Sequence, residues 1–266
     1  QEVAYTFAMA VEYIREMEKR GISIHDIAQS INFGFNVGNV FFIEIAKLRA
    51  AREVWANIMK AFGAEEADRS CRIHSRPAYF YRTIFDAGVN MLRNTTAMFS
   101  AVVGGVDTYE NEPYDETVRK GDEFSRRIAR NAHIILQEEF GMLRPIGPAG
   151  GSWALEHLTK EMAEKIWKEF QKIESMGGFT KALEVEYPQE QILDILKQRF
   201  KALDFRKDRA VGNNMYPNMA EELIEPRPED TPTLKKQLVK GVEDYRKDMD
   251  KEYLGKKLEE LEASPA

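Results

Sequence analysis

Phe41-Phe42-Ile43-Glu44-Ile45-Ala46-Lys47-Leu48-Arg49-Ala50-Ala51-Arg52-Glu53-Val54-Trp55-Ala56 is an amphipathic helix by its spacing. Phe42, Ile45, Leu48, Trp55, Ile58 and Phe62 form one apolar stripe, and Gly63 closes it. Just before this helix, Ile31-Asn32-Phe33-Gly34-Phe35-Asn36-Val37 alternates apolar residues at every second position, the period of a strand with one buried side. Residues 71–75 read as a second short strand. Strand, helix and strand in this order make a βαβ unit, and therefore a parallel sheet.

The pattern extends in both directions. Upstream, Val3, Phe7, Ala10, Val11 and Ile14 recur at helical spacing before Gly21. No capping residue precedes them, so the natural start of this unit is expected upstream or on another chain. Downstream, residues 90–103 read as a helix and 105–109 as a third strand. Asp122 is placed to cap a helix bearing Phe124, Ile128, Ala132, Ile135 and Leu136. Residues 144–147 read as a fourth strand, and Leu155, Leu158, Met162, Ile166, Phe170 and Ile173 line a long helix closed by Gly177-Gly178. A complete (β/α)8 barrel takes about 250 residues. Here the βα pattern ends near residue 180 after four units, so the expected fold is α/β, half of a TIM barrel, over residues 1–180. A post-barrel helix and turn-rich segment are expected over 181–224. A linker and charged carboxyl-terminal helix, a helical extension dense in Lys and Glu, are expected over 225–266.

Composition excludes several classes of function. An apolar content of 43% is ample for a core, and a net charge of −6 without basic clusters among aromatics gives no reason to expect nucleic acid. The single cysteine, Cys71, rules out a disulfide framework and fits a reducing cytoplasm. No apolar run approaches the roughly 18–20 residues of a membrane span, and no signal-peptide pattern opens the chain. A soluble cytoplasmic protein without membrane contact is the expectation.

Several blocks carry a resemblance to a known family. Besides residues 41–56 these are Cys71-Arg72-Ile73-His74-Ser75, Val89-Asn90-Met91-Leu92-Arg93-Asn94-Thr95-Thr96, Gly104-Gly105-Val106-Asp107, Pro113-Tyr114-Asp115-Glu116, Phe124-Ser125-Arg126-Arg127-Ile128-Ala129-Arg130-Asn131 and Pro148-Ala149-Gly150-Gly151-Ser152-Trp153. In order and spacing, over residues 2–218, the chain resembles the methylmalonyl-CoA mutase family of coenzyme B12-dependent acyl-CoA mutases. It looks closer to the small (beta), non-catalytic subunit of the heterodimeric enzymes than to the catalytic large subunit.

The resemblance implies the carboxyl-terminal half of a TIM barrel whose axial channel holds the CoA chain of an acyl-CoA. A separate cobalamin-binding domain caps that barrel, and adenosylcobalamin in the assembled enzyme starts the rearrangement of methylmalonyl-CoA to succinyl-CoA. The cofactor supplies the hard chemistry, and the protein supplies placement and exclusion of water. The implied partners are a larger mutase subunit, or the missing barrel half and the cobalamin domain.

The family's substrate-binding tyrosine and catalytic histidine lie upstream of the segment matching Gln1. No Asp-x-His-x-x-Gly, the cobalt-ligating motif, occurs here. No catalytic residue and no metal ligand are therefore expected, and this chain alone is expected to be inactive, binding no cofactor tightly. Ser30, on the strand after the first Gly-rich turn, stands where the catalytic family has a CoA-contacting arginine, and Asn32 where a serine is usual. The family's polar catalytic loop becomes Gly104-Gly105-Val106-Asp107-Thr108-Tyr109-Glu110-Asn111-Glu112, whose added carboxylates would repel an anionic substrate.

Arg72 and His74 share one face of a strand and match residues near the corrin and CoA, and Glu116 matches a glutamate near the corrin. These three are the candidate residual cofactor contacts; for Arg72 and His74 a structural polar pair is the competing reading. His25, His133 and His157 read as ordinary polar residues, and Cys71 as a buried filler. Glu44, Lys47, Arg49 and Arg52 read as an ion-pair network. Gly150-Gly151-Ser152 reads as a tight turn, or as an anion cradle at a helix start. The functional expectation is a mutase component of the small-subunit type. The alternatives are one half of a split but active acyl-CoA mutase, and a ligand-free scaffold on the mutase fold.

Overall fold

The computed structural model describes residues 1–226 and 231–262. The chain divides into two units, Gln1–Glu225 and the segment from Pro226 onward.

In the first unit, α1 (Glu2–Lys19) buries Val3, Phe7, Ala10, Val11 and Ile14, the stripe read from the sequence. The short helix α2 (Ile24–Ser30) is started by Ser23, whose hydroxyl accepts from the Asp26 amide. Three strands, β1 (Phe33–Val37), β2 (Ile73–Pro77) and β3 (Thr108–Tyr109), form one parallel sheet in sequential order. The register sets Gly34 beside His74, Asn36 beside Arg76, and His74 beside Thr108.

The two crossovers are α3 (Phe41–Ala61) and α4 (Asn90–Gly104). One apolar cluster joins Phe33, Phe35, Val37 and Ile73 of the sheet to Leu48 and Trp55 of α3 and to Ala97 and Ala101 of α4. Both crossovers therefore cover the same side of the sheet. At its centre Phe33 meets Trp55 edge-on with ring centroids 4.6 Å apart, and Phe7 of α1 lies 5.0 Å from Phe33 and 5.2 Å from Trp55.

Asp122 caps α5 (Glu123–Ile134) as expected, its Oδ1 accepting from the Ser125 amide at 3.0 Å, and the helix runs into one π turn at Ile135–Glu139. The long helix α6 (Trp153–Ser175) packs along α3 and α1, and α7 (Phe179–Glu184) and α8 (Tyr187–Asp204) complete the unit.

Several expectations need correction. Residues 144–147 form no strand; residues 142–151 are turns and bends. Gly141, Gly147 and Gly151 sit in the left-handed region at φ 63°, 67° and 80°, and Pro145 and Pro148 have no amide to donate to a ladder. The first strand starts at Phe33, not Ile31, and Ser30 is the last residue of α2, its hydroxyl donating to the Asp26 carbonyl. The third strand shrinks to two residues because Gly105, at φ 81°, is the left-handed cap of α4. Phe42 is exposed; its neighbour Phe41 packs instead, edge-on to Phe99 at 5.3 Å.

In the second unit the expected single helix is two, α9 (Thr231–Asp248) and α10 (Lys251–Glu262). Asp250 breaks them, its Oδ1 accepting from the Glu252 and Tyr253 amides to cap α10. Residues 227–230 of the expected linker lie outside the described residues. Among the described residues no helix is long and apolar enough to cross a membrane.

Candidate functional site

Side chains of successive strand residues point to opposite sides of a sheet. With the helices on one side, the other side carries Gly34, Asn36, His74, Arg76 and Thr108, all exposed. Two rows result from the register, Gly34–His74–Thr108 and Asn36–Arg76. His74 Nδ1 shares a 2.8 Å hydrogen bond with Thr108 Oγ1, and its Nε2 lies 4.0 Å from a Glu110 carboxylate oxygen. Arg76 Nε donates to Asn36 Oδ1 at 3.4 Å, and its Nη1 lies 3.7 Å from Glu112 Oε1.

Past the carboxyl-terminal end of β2, the chain turns at Tyr79–Tyr81 and brings Arg82 inward, where it pairs with Glu112. The guanidinium also sits 4.5 Å over the Tyr79 ring. Burial pushes the Arg82 pKa below its ordinary value. Arg82 Nε and Nη2 have no hydrogen-bond partner among the described residues.

The three residues read as candidate contacts do not meet. Arg72 precedes β2, at the amino-terminal end of the sheet, where its guanidinium donates to the Gln29 carbonyl at 2.9 Å and to Gln29 Oε1 at 2.6 Å. Glu116 is exposed in the turn beyond β3, at the opposite end, its amide donating to the Pro113 carbonyl. His74 lies between them, in the first polar row.

Asp107 and Glu112, expected to repel an anionic ligand, are both neutralised. Asp107 pairs with Arg52 at 3.1 Å and accepts from the Ile73 amide at 2.7 Å, while Glu112 lies between Arg82 and Arg76. The helix residues read as an ion-pair network are all paired, but in separate groups: Arg52 takes Asp107, Arg49 reaches Glu156 at 2.6 Å, and Lys47 forms a network with Glu2 at 2.9 Å and Glu44 at 2.7 Å. Glu2 also accepts from the Asn36 amide, so this network closes part of the free edge of β1. At Gly150-Gly151-Ser152 the Gly151 amide donates to Glu156 of the same chain, so the turn carries its own anion.

The remaining candidates are structural. Cys71 is buried, its thiol pushed up to about 12 by burial. His133 is half-buried beside Tyr109 with its pKa lowered by burial, and exposed His157 pairs with Glu161 at 3.2 Å. His25 is more than an ordinary polar residue: its Nδ1 lies 2.9 Å from Oδ2 of buried Asp68, which also accepts from Gln29 at 3.0 Å. The hydrogen bond to Asp68 raises the His25 pKa, and the same bond lowers that of Asp68. Among the described residues no group of three His, Cys, Asp or Glu side chains is arranged to hold a metal ion.

Sequence reading passed over Asn36 and Arg76 as site residues, although period-two spacing from His74 points to Arg76. The Arg82–Glu112 pair spans thirty positions and leaves no local signal. Chemically the open face offers hydrogen-bond donors and acceptors to an extended polar ligand, among them the hydroxyl–imidazole contact of Thr108 with His74.

The sequence profile of the methylmalonyl-CoA mutase family matches residues 1–266. The chain is similar to the methylmalonyl-CoA mutase small subunit of Porphyromonas gingivalis, 36% identical over 83% of this chain and 36% of the relative. It is also similar to the methylmalonyl-CoA mutase of Cereibacter sphaeroides, 39% identical over 85% of this chain and 32% of the relative. With the large subunit of Propionibacterium freudenreichii it shares 35% identity over 81% of this chain and 30% of the relative. The chain thus spans about a third of the length of these relatives. Matched along its whole length by that profile, the chain belongs to the methylmalonyl-CoA mutase family.

Proposed function

We propose that this chain is a component of an adenosylcobalamin-dependent acyl-CoA mutase, the carboxyl-terminal half of a barrel of the non-catalytic small-subunit type. One observation carries the reading: three parallel strands in sequential order have their crossovers on one side and a bare polar side opposite. That is how consecutive βα units curl into a barrel, with helices outside and the strands' inner face towards the axis. The open outer edges of β1 and β3 then await strands from the missing half or from a larger mutase subunit.

Arg72, His74 and Glu116 do not come together as one site that would hold adenosylcobalamin by themselves. Arg72 is engaged by Gln29, and Arg72 and Glu116 stand at opposite ends of the sheet. The cofactor belongs to the assembled enzyme. What this chain contributes is a hydrogen-bonding inner wall, Asn36, His74, Arg76 and Thr108, along which an acyl-CoA would lie; residual contact by His74 or Glu116 is part of the proposal.

The pairing of Asp107 and Glu112 favours a second reading, one half of a split active mutase, since neither carboxylate remains to repel substrate. Incubating the chain with methylmalonyl-CoA and adenosylcobalamin tests the first reading. No succinyl-CoA is expected from this chain by itself, and turnover by it alone would overturn the proposal.

A further inference from the structure

A recess of about 360 Å³ opens beyond the carboxyl-terminal ends of β1 and β2, and none of Asn36, His74, Arg76 and Thr108 lines it. Its volume falls within the range of small-molecule sites, about 300–1,000 Å³. One wall is aromatic, Phe80 and Tyr81 of the turn after β2, with the Arg199 guanidinium 5.3 Å from the Phe80 ring centroid. The opposite wall is the turn after α8, which brings Lys207, Arg209 and Asn213 to the rim, with Asp208 as its carboxylate. Lys207 and Arg209 have no ion-pair partner among the described residues. Arg82, which is buried and keeps Nε and Nη2 without hydrogen-bond partners, also lines the recess. A buried guanidinium with unmatched donors is a standing demand for an acceptor.

From an aromatic wall facing three cations we infer that this recess binds a mononucleotide, its base against Phe80 and Tyr81 and its phosphate on Arg82, Lys207 and Arg209. Guanidinium and ammonium groups take phosphate through charge-assisted hydrogen bonds, and aromatic faces take any base by stacking. The inference does not rest on the mutase reading, because no residue of the inner wall proposed for the acyl-CoA lines the recess. Ring-plus-phosphate chemistry is shared by a free nucleotide and by the nucleotide end of coenzyme A, so the test separates the two.

Calorimetric titration of the full chain with AMP, adenosine, inorganic phosphate and coenzyme A decides the matter. AMP is expected to bind with a dissociation constant below about 1 mM, with adenosine and phosphate each at least about tenfold weaker. The K207E/R209E variant carries only exposed changes and is expected to weaken AMP by at least about tenfold, the scale of losing charged hydrogen bonds. Asn213→Asp, nearly isosteric, sets a carboxylate at the rim and is expected to weaken AMP in the same direction. Displacement of AMP by coenzyme A would support the site with coenzyme A as the source, and failure to displace would support it with a free nucleotide as the source. Phosphate binding as tightly as AMP, no AMP binding, or AMP binding unchanged in both variants would overturn the inference.

Discussion

Replacing Trp55 by alanine tests whether the aromatic junction between α1, β1 and α3 is what holds the sheet to its helices. Trp55 is 2% exposed and touches Phe7 and Phe33, which belong to two other elements. Large-to-small substitution of a buried aromatic costs about 3–5 kcal/mol, and each aromatic pair lost accounts for about 0.5–1.5 kcal/mol of it. Phe7 and Phe33 are themselves pinned edge-on to one another, so the hole has little freedom to collapse and the upper part of the range applies, about 4 kcal/mol. At roughly 2–4 °C per kcal/mol for a domain of this size, the melting temperature should fall by about 8–16 °C. Urea unfolding followed by far-ultraviolet circular dichroism measures the loss, provided the m-value is unchanged. Trp153, 92% exposed, is the matched control, and its alanine variant should stay within about 0.5 kcal/mol of the parent. A loss below about 1.5 kcal/mol for Trp55→Ala, or equal losses for the two variants, would refute the packing described here.

Other outcomes follow from the same contacts. Glu112→Ala strands the buried Arg82 charge and should cost about 3–5 kcal/mol in urea melts; a loss under about 1 kcal/mol would mean the pair is not desolvated. Gly105→Ala forces a side chain onto φ 81° at the end of α4 and should destabilise by about 1 kcal/mol, whereas at Gly34, which faces open space with ordinary φ, alanine should cost less. The His25–Asp68 pair should add stability that His25 loses as pH rises from about 6.5 through its raised pKa, and that Asp68 loses as pH falls below about 3.9. His25→Ala should flatten the alkaline limb of a plot of urea midpoint against pH. His133, whose pKa burial lowers, acts in the opposite sense, and His133→Gln should relieve destabilisation on acidification below about pH 6.5.

Most of the helices were legible because periodicity is local. The stripe on α1, the cap at Asp122 and the long run of α6 each declare themselves within a few turns. β1 and β2 were legible from period-two alternation, which also separates the buried Phe33, Phe35 and Val37 from the exposed side. The fourth strand misled because Ile146 is apolar beside a short run of non-helical residues, while the glycines and prolines around it rule out a ladder. α2 was hidden by its length of seven residues, too short to show a period. Of the candidate site, His74 lies on β2 and Arg72 just before it, both exposed, but nothing local told that Gln29 takes up Arg72 or that Arg82 reaches back to Glu112. Those are long-range pairings, set by how the strand-end loops fold over the sheet.

In the proposed assembly another mutase polypeptide completes the polar side and free edges of this sheet. Native mass spectrometry of the complex recovered through a tag on this chain, with its components identified by peptide sequencing, tests it most directly. A complex holding a larger polypeptide of the methylmalonyl-CoA mutase family and a bound corrinoid is the expected result. Recovery of this chain alone, as a stable monomer free of corrinoid, would contradict it.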